Sequence, residues 1–132
     1  PFALYALASF AATGLVVNLL KVGLGRTRPG LLFDYGRHEF TWMSLSGGTQ
    51  SFPSGHAAAI AAAALLLALQ VPRLTALFAA IALTVAASRL LIVFHYPSDV
   101  LAGLVLGLMI PLYLRDWFRR RPWWREPPGR GH

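Results

Sequence analysis

The amino-acid sequence predicts an all-α integral membrane helical bundle. Of its 132 residues, 56% are hydrophobic and only 13% are charged, about half the roughly 25% that a soluble globular domain carries. So few charges cannot cover a water-exposed surface, and the chain also contains four apolar segments of nearly spanning length. The apolar excess excludes intrinsic disorder, and the lack of cysteine excludes a disulfide scaffold.

Each of the four apolar segments is predicted to be a membrane-spanning helix. The first runs from Phe2 to about Gly23 and the third from about Leu74 to Phe94, and both have the roughly 20 residues that a hydrocarbon core requires. The second, about Ser54 to Gln70, and the fourth, about Ser98 to Leu114, are slightly short. Buried helices of a soluble protein are the alternative, but too little polar sequence remains to enclose four of them.

The chain begins at Pro1 with apolar sequence that already has the character of a helix interior. No basic leader and no small-residue cleavage motif accompanies it, so a signal peptide is not indicated. We therefore expect further sequence before Pro1 in the full protein. We expect residues 1–118 to form an N-terminally truncated membrane domain, with its core at 21–99, and residues 119–132 to form a basic cytoplasmic tail.

The net charge of +7 indicates basic loops at a membrane surface rather than nucleic-acid binding, because it accompanies so much apolar sequence. A connection of about 30 residues, Leu24 to Pro53, joins the first two helices and is predicted to be a functional loop without regular structure.

The basic residues are divided unequally between the two membrane faces. On the face opposite this loop the sequence has seven: Arg73, Arg115, Arg119, Arg120, Arg121, Arg125 and Arg130. The loop face has five: Lys21, Arg26, Arg28, Arg37 and Arg89. The positive-inside rule therefore puts the tail in the cytoplasm and the loop outside.

Three polar clusters are predicted to meet on the outer face. They are Lys21 with Arg28-Pro29, then Pro53-Ser54-Gly55-His56, and finally Ser88-Arg89 with His95 and Asp99. Ionisable groups at the ends of apolar helices are costly and indicate function. Alternating up and down helices bring all three clusters to one side of the bundle.

The residue types in these clusters suit a phosphate. Lys21, Arg28 and Arg89 supply positive charge, and arginine binds two phosphate oxygens at once. Ser54 and Gly55 begin a helix, whose free N–H groups and dipole favour an anion.

The two histidines and the aspartate suit covalent catalysis. His56 lies within reach of an anion at that helix end. The four-residue spacing of His95 and Asp99 allows the carboxylate to hold one imidazole nitrogen and leave the other nucleophilic. Since no metal-ligand cluster accompanies them, the pattern predicts metal-independent phosphoryl transfer through a phosphohistidine.

These residues resemble the three signatures of the type 2 phosphatidic acid phosphatase superfamily, in its membrane-bound branch. Lys21 followed after six residues by Arg28-Pro29 resembles the first signature, and Pro53-Ser54-Gly55-His56 resembles the second. Ser88-Arg89, five residues, His95, three residues and Asp99 resemble the third. All eleven specified positions match in order, which makes the combined pattern far more specific than any one signature.

The resemblance implies a lipid phosphatase with six spanning helices, of which two would precede Pro1. It implies that His95 is the nucleophile, that Asp99 orients it, and that His56 protonates the leaving oxygen and later activates water. It assigns phosphate binding to five residues: Lys21, Arg28, Ser54, Gly55 and Arg89. The expected partners are a lipid phosphate and membrane lipids, with no cofactor, no metal and no nucleic acid.

Several alternatives remain open from the sequence. Vanadium haloperoxidases resemble the same pattern, although they are soluble and far larger, and a catalytically silent lipid-binding protein is a rival from another class. Arg26 and Arg37 are interpreted as solvated residues or as contacts to lipid headgroups. The single lysine against eleven arginines suggests a bacterial source, hence an inner membrane with the site on its periplasmic or extracellular face. Neither the oligomeric state nor the particular lipid substrate follows from the sequence.

Overall fold

Helices account for all of the regular secondary structure in the computed structural model, which describes residues 2–36 and 39–124. Within those ranges the extended backbone is limited to an isolated antiparallel bridge between Arg26 and Phe40. The all-α prediction is therefore confirmed. The elements are α1 (Phe2–Leu24), α2 (Pro29–Tyr35), α3 (Gly55–Gln70), α4 (Thr75–Leu91) and α5 (Pro97–Arg119), with 3-10 turns at Gly47–Thr49 and Pro72–Leu74.

Three segments of the described chain are long and apolar enough to cross a membrane: Phe2–Leu24, Pro72–Leu91 and Pro97–Arg119. The second predicted span, α3, has 16 residues, or about 24 Å of helix against a hydrocarbon core of about 30 Å. Four spans were predicted, and α3 falls short of the length that defines one. The last helix, α5, is longer than predicted. It continues through Arg115 to Arg119, whereas the predicted span ends at about Leu114.

The long connection between α1 and α3 contains a short helix that was not predicted. Pro29 occupies the first turn of α2, where its missing N–H costs no hydrogen bond, and Gly36 ends the helix in the left-handed conformation. Gly25 also has a positive φ of 52°, and a Cβ atom there would clash with the carbonyl oxygen of Thr41. Thr41 in turn donates its N–H to the Gly25 carbonyl at 2.9 Å, so the connection folds back onto the end of α1.

The central helix is α3, which packs against α1, α4 and α5. Its contact with α5 is nearly backbone to backbone, since Cβ atoms at Gly103 and Gly107 would clash with the carbonyl oxygens of Ser54 and Ala58. Small residues at such a contact allow helices in a membrane to approach closely. This packing sets the position of the first turn of α3 relative to the first turn of α5.

Replacing Gly107 with alanine is expected to destabilise the protein by about 1–3 kcal/mol, because overpacking forces the two helices apart. Gly14→Ala on α1 is the matched control, since a Cβ atom there meets no neighbour within 4 Å and the gain in helix propensity is the same. Thermal unfolding of the detergent-solubilised variants measures the difference. Equal melting temperatures for the two variants would contradict this packing.

An aromatic cluster lies at the end of the bundle opposite the first turns of α3 and α5. The ring of Tyr5 lies edge-on to Phe118 and Trp124, with centroid distances of 5.7 and 5.5 Å, and its hydroxyl donates to the Pro111 carbonyl at 2.9 Å. Phe118 belongs to α5, so these contacts explain why that helix extends beyond its apolar run. Of the predicted tail, Arg125 and Arg130 lie outside the described residues, as does Arg37 of the long loop.

Candidate active site

The predicted site residues lie at one end of the bundle. Lys21 is in the last turn of α1 and Arg89 in the last turn of α4, whereas His56 is in the first turn of α3. Arg28 immediately precedes α2. Arg89, Lys21 and Arg28 lie close enough to the His56 imidazole for their positive charges to act on it, and the Ser54 N–H donates to the Asp99 carbonyl. The fold therefore brings together the three clusters that are distant in sequence.

Two of the three cationic side chains, those of Arg28 and Arg89, have a hydrogen-bond donor that is not used within the described residues. The Nε atoms of Arg28 and Arg89 are buried, and neither has an acceptor within residues 2–36 and 39–124. The Arg28 guanidinium also stacks on the Phe94 ring, with its Cζ 4.9 Å from the ring centroid. A Cβ atom at Gly55 would lie 3.5 Å from Lys21 Nζ. Buried donors without acceptors are costly, and an anion between these residues would satisfy them.

A cavity of about 220 Å³ lies beside Lys21, between α1 and α3. Its polar lining includes Asn18, Thr13 and Lys21, with Gly55 at the α3 side. Asn18 is a polar residue within the apolar sequence of α1, and the structure places it in the same cavity lining as Lys21.

His95 is held by a main-chain oxygen. It lies in the turn before α5 with 6% of its surface exposed, and its Nδ1 is 2.8 Å from the Ser51 carbonyl oxygen. Because a carbonyl oxygen only accepts, Nδ1 carries the proton and Nε2 keeps the lone pair in the neutral ring. Asp99 Oδ2 is 3.8 Å from Nδ1, beyond hydrogen-bond length. The direct carboxylate–imidazole hydrogen bond expected from the spacing is therefore replaced by one to Ser51.

The Asp99 carboxylate is fully buried and accepts hydrogen bonds from other groups. Its Oδ2 accepts from the Ser51 hydroxyl at 2.6 Å and from the Tyr96 N–H at 2.9 Å. Its Oδ1 pairs with Nη1 of Arg26 at 2.5 Å, and the same nitrogen donates to Ser98 Oγ at 2.7 Å. The interpretation of Arg26 as a solvated or headgroup-contacting residue was wrong, since a buried carboxylate requires a paired cation.

Ser54 is engaged within the protein. Its main-chain N–H donates to the Asp99 carbonyl at 2.8 Å, and its carbonyl accepts from Ala58. Its fully buried hydroxyl accepts from the Ala57 N–H at 3.4 Å as the helix cap. The Ser54 N–H is thus already bound to Asp99, and the expected role of Ser54 in phosphate binding stays a prediction. The next N–H groups along the helix, those of Gly55 and His56, have no main-chain acceptor among the described residues and remain candidates.

An apolar helical bundle with cations, two imidazoles and a buried carboxylate at one end defines a membrane protein with a candidate anion-binding site. The chain belongs to the PAP2 superfamily, whose family model matches residues 2–123. The resemblance inferred from the three sequence signatures is confirmed by this match.

Two relatives in this family are named lipid A 1-phosphatase. The protein of Rhizobium etli is 41% identical over 103 residues, which cover 78% of this chain and 44% of the relative. The protein of Rhizobium johnstonii is 40% identical over 108 residues, which cover 82% of this chain and 44% of the relative. The chain therefore spans less than half the length of these relatives. No solved structure matches it.

Proposed function

We propose that this chain is the catalytic portion of a bacterial membrane phosphatase that hydrolyses a lipid phosphomonoester or pyrophosphate. The observation that carries the proposal is the 2.8 Å contact between His95 Nδ1 and the Ser51 carbonyl oxygen, which favours the tautomer with the proton on Nδ1. A buried neutral imidazole with a free Nε2 is a competent nucleophile. The neighbouring cations would stabilise the charge on the phosphoryl oxygens in the transition state.

The proposed reaction has two steps. In the first, Nε2 of His95 attacks phosphorus, the bond from phosphorus to the lipid oxygen breaks, and His56 donates a proton to that oxygen. In the second, neutral His56 takes a proton from water, the resulting hydroxide attacks the phosphohistidine, and the P–N bond breaks to release inorganic phosphate. The phosphate charge is neutralised throughout by three side-chain cations, those of Lys21, Arg28 and Arg89. The proposal therefore includes no metal ion.

The proposed substrate follows from the relatives and from the position of the site. Because two relatives are named lipid A 1-phosphatase, the phosphate of a lipid A-type glycolipid is the first candidate. Phosphatidic acid, phosphatidylglycerol phosphate and undecaprenyl pyrophosphate present the same group. The site would face the periplasm or the exterior from an inner membrane. Residues 1–118 would form the membrane domain, and residues 119–132 a cytoplasmic tail.

Phosphate release by the full-length protein in lipid vesicles tests the proposal. We expect hydrolysis of at least one of those four lipids, and we expect it to persist when EDTA is present, because protein cations occupy the role of a metal. Vesicles without protein are the control. Loss of activity in EDTA with recovery in magnesium would overturn metal independence, whereas no release from any lipid would favour a catalytically silent lipid-binding protein.

A further inference from the structure

We propose that Arg26 and Ser51 are positioning residues that act with Asp99 to hold His95 in its nucleophilic tautomer. Neither residue belongs to the eleven signature positions, and neither is part of the cationic set that would bind phosphate. The inference rests on the proposed function for its catalytic consequence. The positioning of His95 itself is argued only from the hydrogen bonds around Asp99.

Ser51 is the centre of this network. It is completely buried, and its main-chain N–H, hydroxyl and carbonyl are all hydrogen-bonded. The N–H donates to the Arg26 carbonyl at 2.9 Å, and the hydroxyl donates to Asp99 Oδ2 at 2.6 Å. The carbonyl then accepts from His95 Nδ1 at 2.8 Å. Any rotation of this residue would break several bonds at once, so the carbonyl direction that fixes His95 is itself fixed.

Arg26 provides the charge that makes the network possible. Its Nη1 pairs with Asp99 Oδ1 and, together with the hydrogen bonds from Ser51 and Tyr96, stabilises the ionised form of the buried carboxylate. Its guanidinium lies 4.1 Å from the Tyr96 ring centroid and 5.7 Å from that of Phe40. The main-chain bridge from Arg26 to Phe40 holds the arginine in this place, so the long connection after α1 contributes to the site.

Asp99 therefore acts on His95 largely through Ser51 rather than by a direct hydrogen bond. The Arg26 charge is balanced by Asp99, whereas Lys21, Arg28 and Arg89 are left for the phosphate. This division of the cations makes a specific prediction. Loss of Arg26 should affect the chemical step alone, whereas loss of a phosphate-binding arginine should also weaken substrate affinity.

Arg26→Gln in the full-length protein is expected to lower kcat for the lipid phosphate about 10–100-fold and to leave KM within about twofold of the wild-type value. A loss of this size is typical when a contact that orients a reactive group is removed. Arg26→Lys should recover part of the loss, because it keeps the charge. Arg28→Gln is the matched comparison and should raise KM and weaken inhibition by orthovanadate, a phosphate mimic. Arg73→Gln, an exposed arginine on the turn between α3 and α4, should leave both constants unchanged.

A double-mutant cycle tests whether Arg26 acts through Asp99. If it does, Arg26→Gln combined with Asp99→Asn will have the kcat of Asp99→Asn alone, because the two residues form one unit. Multiplication of the two single losses would overturn the proposal, and so would an increase in KM equal to that of Arg28→Gln. Ser51→Ala, which removes only the hydroxyl, should also lower kcat without changing vanadate inhibition, and it supplies the test if Arg26→Gln fails to fold.

Nuclear magnetic resonance of the ¹⁵N-histidine-labelled protein tests the positioning without any assay of activity. The wild type should show a proton on His95 Nδ1 that exchanges slowly with water, and Arg26→Gln or Ser51→Ala should make its exchange fast. An unchanged signal in both variants would overturn the inference even if the protein is a phosphatase. Conversely, a wild type that shows the signal but hydrolyses none of the four lipids would overturn the proposed function alone.

Discussion

Replacing His95 with glutamine is expected to lower kcat/KM for the lipid phosphate by at least about 10⁴-fold, as when a nucleophile is removed from other hydrolases that form a covalent intermediate. Glutamine can still donate a hydrogen bond to the Ser51 carbonyl, but its amide has no lone pair that attacks phosphorus. The structure supports this choice of nucleophile because His95 Nδ1 is bound to Ser51, which leaves Nε2 for reaction. Phosphate release from vesicles containing the full-length variant measures the loss.

Trapping the intermediate makes this prediction specific. Rapid quenching of the wild type with ³²P-labelled substrate should capture a phosphoenzyme that is stable in base and labile in acid, as expected for a P–N bond. His95→Gln should capture none. Hydrolysis by the variant within tenfold of the wild type, or an acid-stable phosphoenzyme, would show that another residue is the nucleophile.

The helices were largely predictable because their apolar segments are long and uninterrupted. Their ends were less so, since the last turns of α5 depend on Phe118 packing against Tyr5, a contact between residues more than a hundred positions apart. The short helix α2 was missed although Pro29 and Gly36 are ordinary start and stop signals. A helix of seven residues has too little periodicity to be distinguished from a loop.

The signature residues could be placed at one end of the bundle because each cluster adjoins the end of an apolar helix. The network behind them could not be predicted. The spacing of His95 and Asp99 suggests a contact across a helical turn, but His95 precedes the first residue of α5, so the geometry of a continuous helix does not apply. The role of Arg26 depends on the bridge to Phe40, a long-range pairing that no local pattern marks.

Replacing His56 with asparagine is expected to slow hydrolysis of the lipid phosphate by about 10²–10⁴-fold, the usual contribution of a general acid or base. His56 is exposed at the start of α3 and close enough to Lys21, Arg28 and Arg89 for their charges to act on it. It is proposed to serve in both steps. A lipid oxygen leaves poorly without a proton, so the first step should become slow for the natural class of substrate.

A substrate that does not need the acid separates the two roles of His56. The p-nitrophenolate ion leaves without protonation, so His56→Asn should still form the phosphohistidine from p-nitrophenyl phosphate, whereas the attack of water on it stays slow. The expected result is a burst of about one nitrophenolate per active site followed by a slow steady state, with the phosphoenzyme accumulating. His95→Gln should give no burst. His56→Asn could instead slow hydrolysis of the lipid phosphate and of p-nitrophenyl phosphate equally and show no burst. That result would mean that His56 does not act as the acid and base, because only that role makes the first step depend on the leaving group.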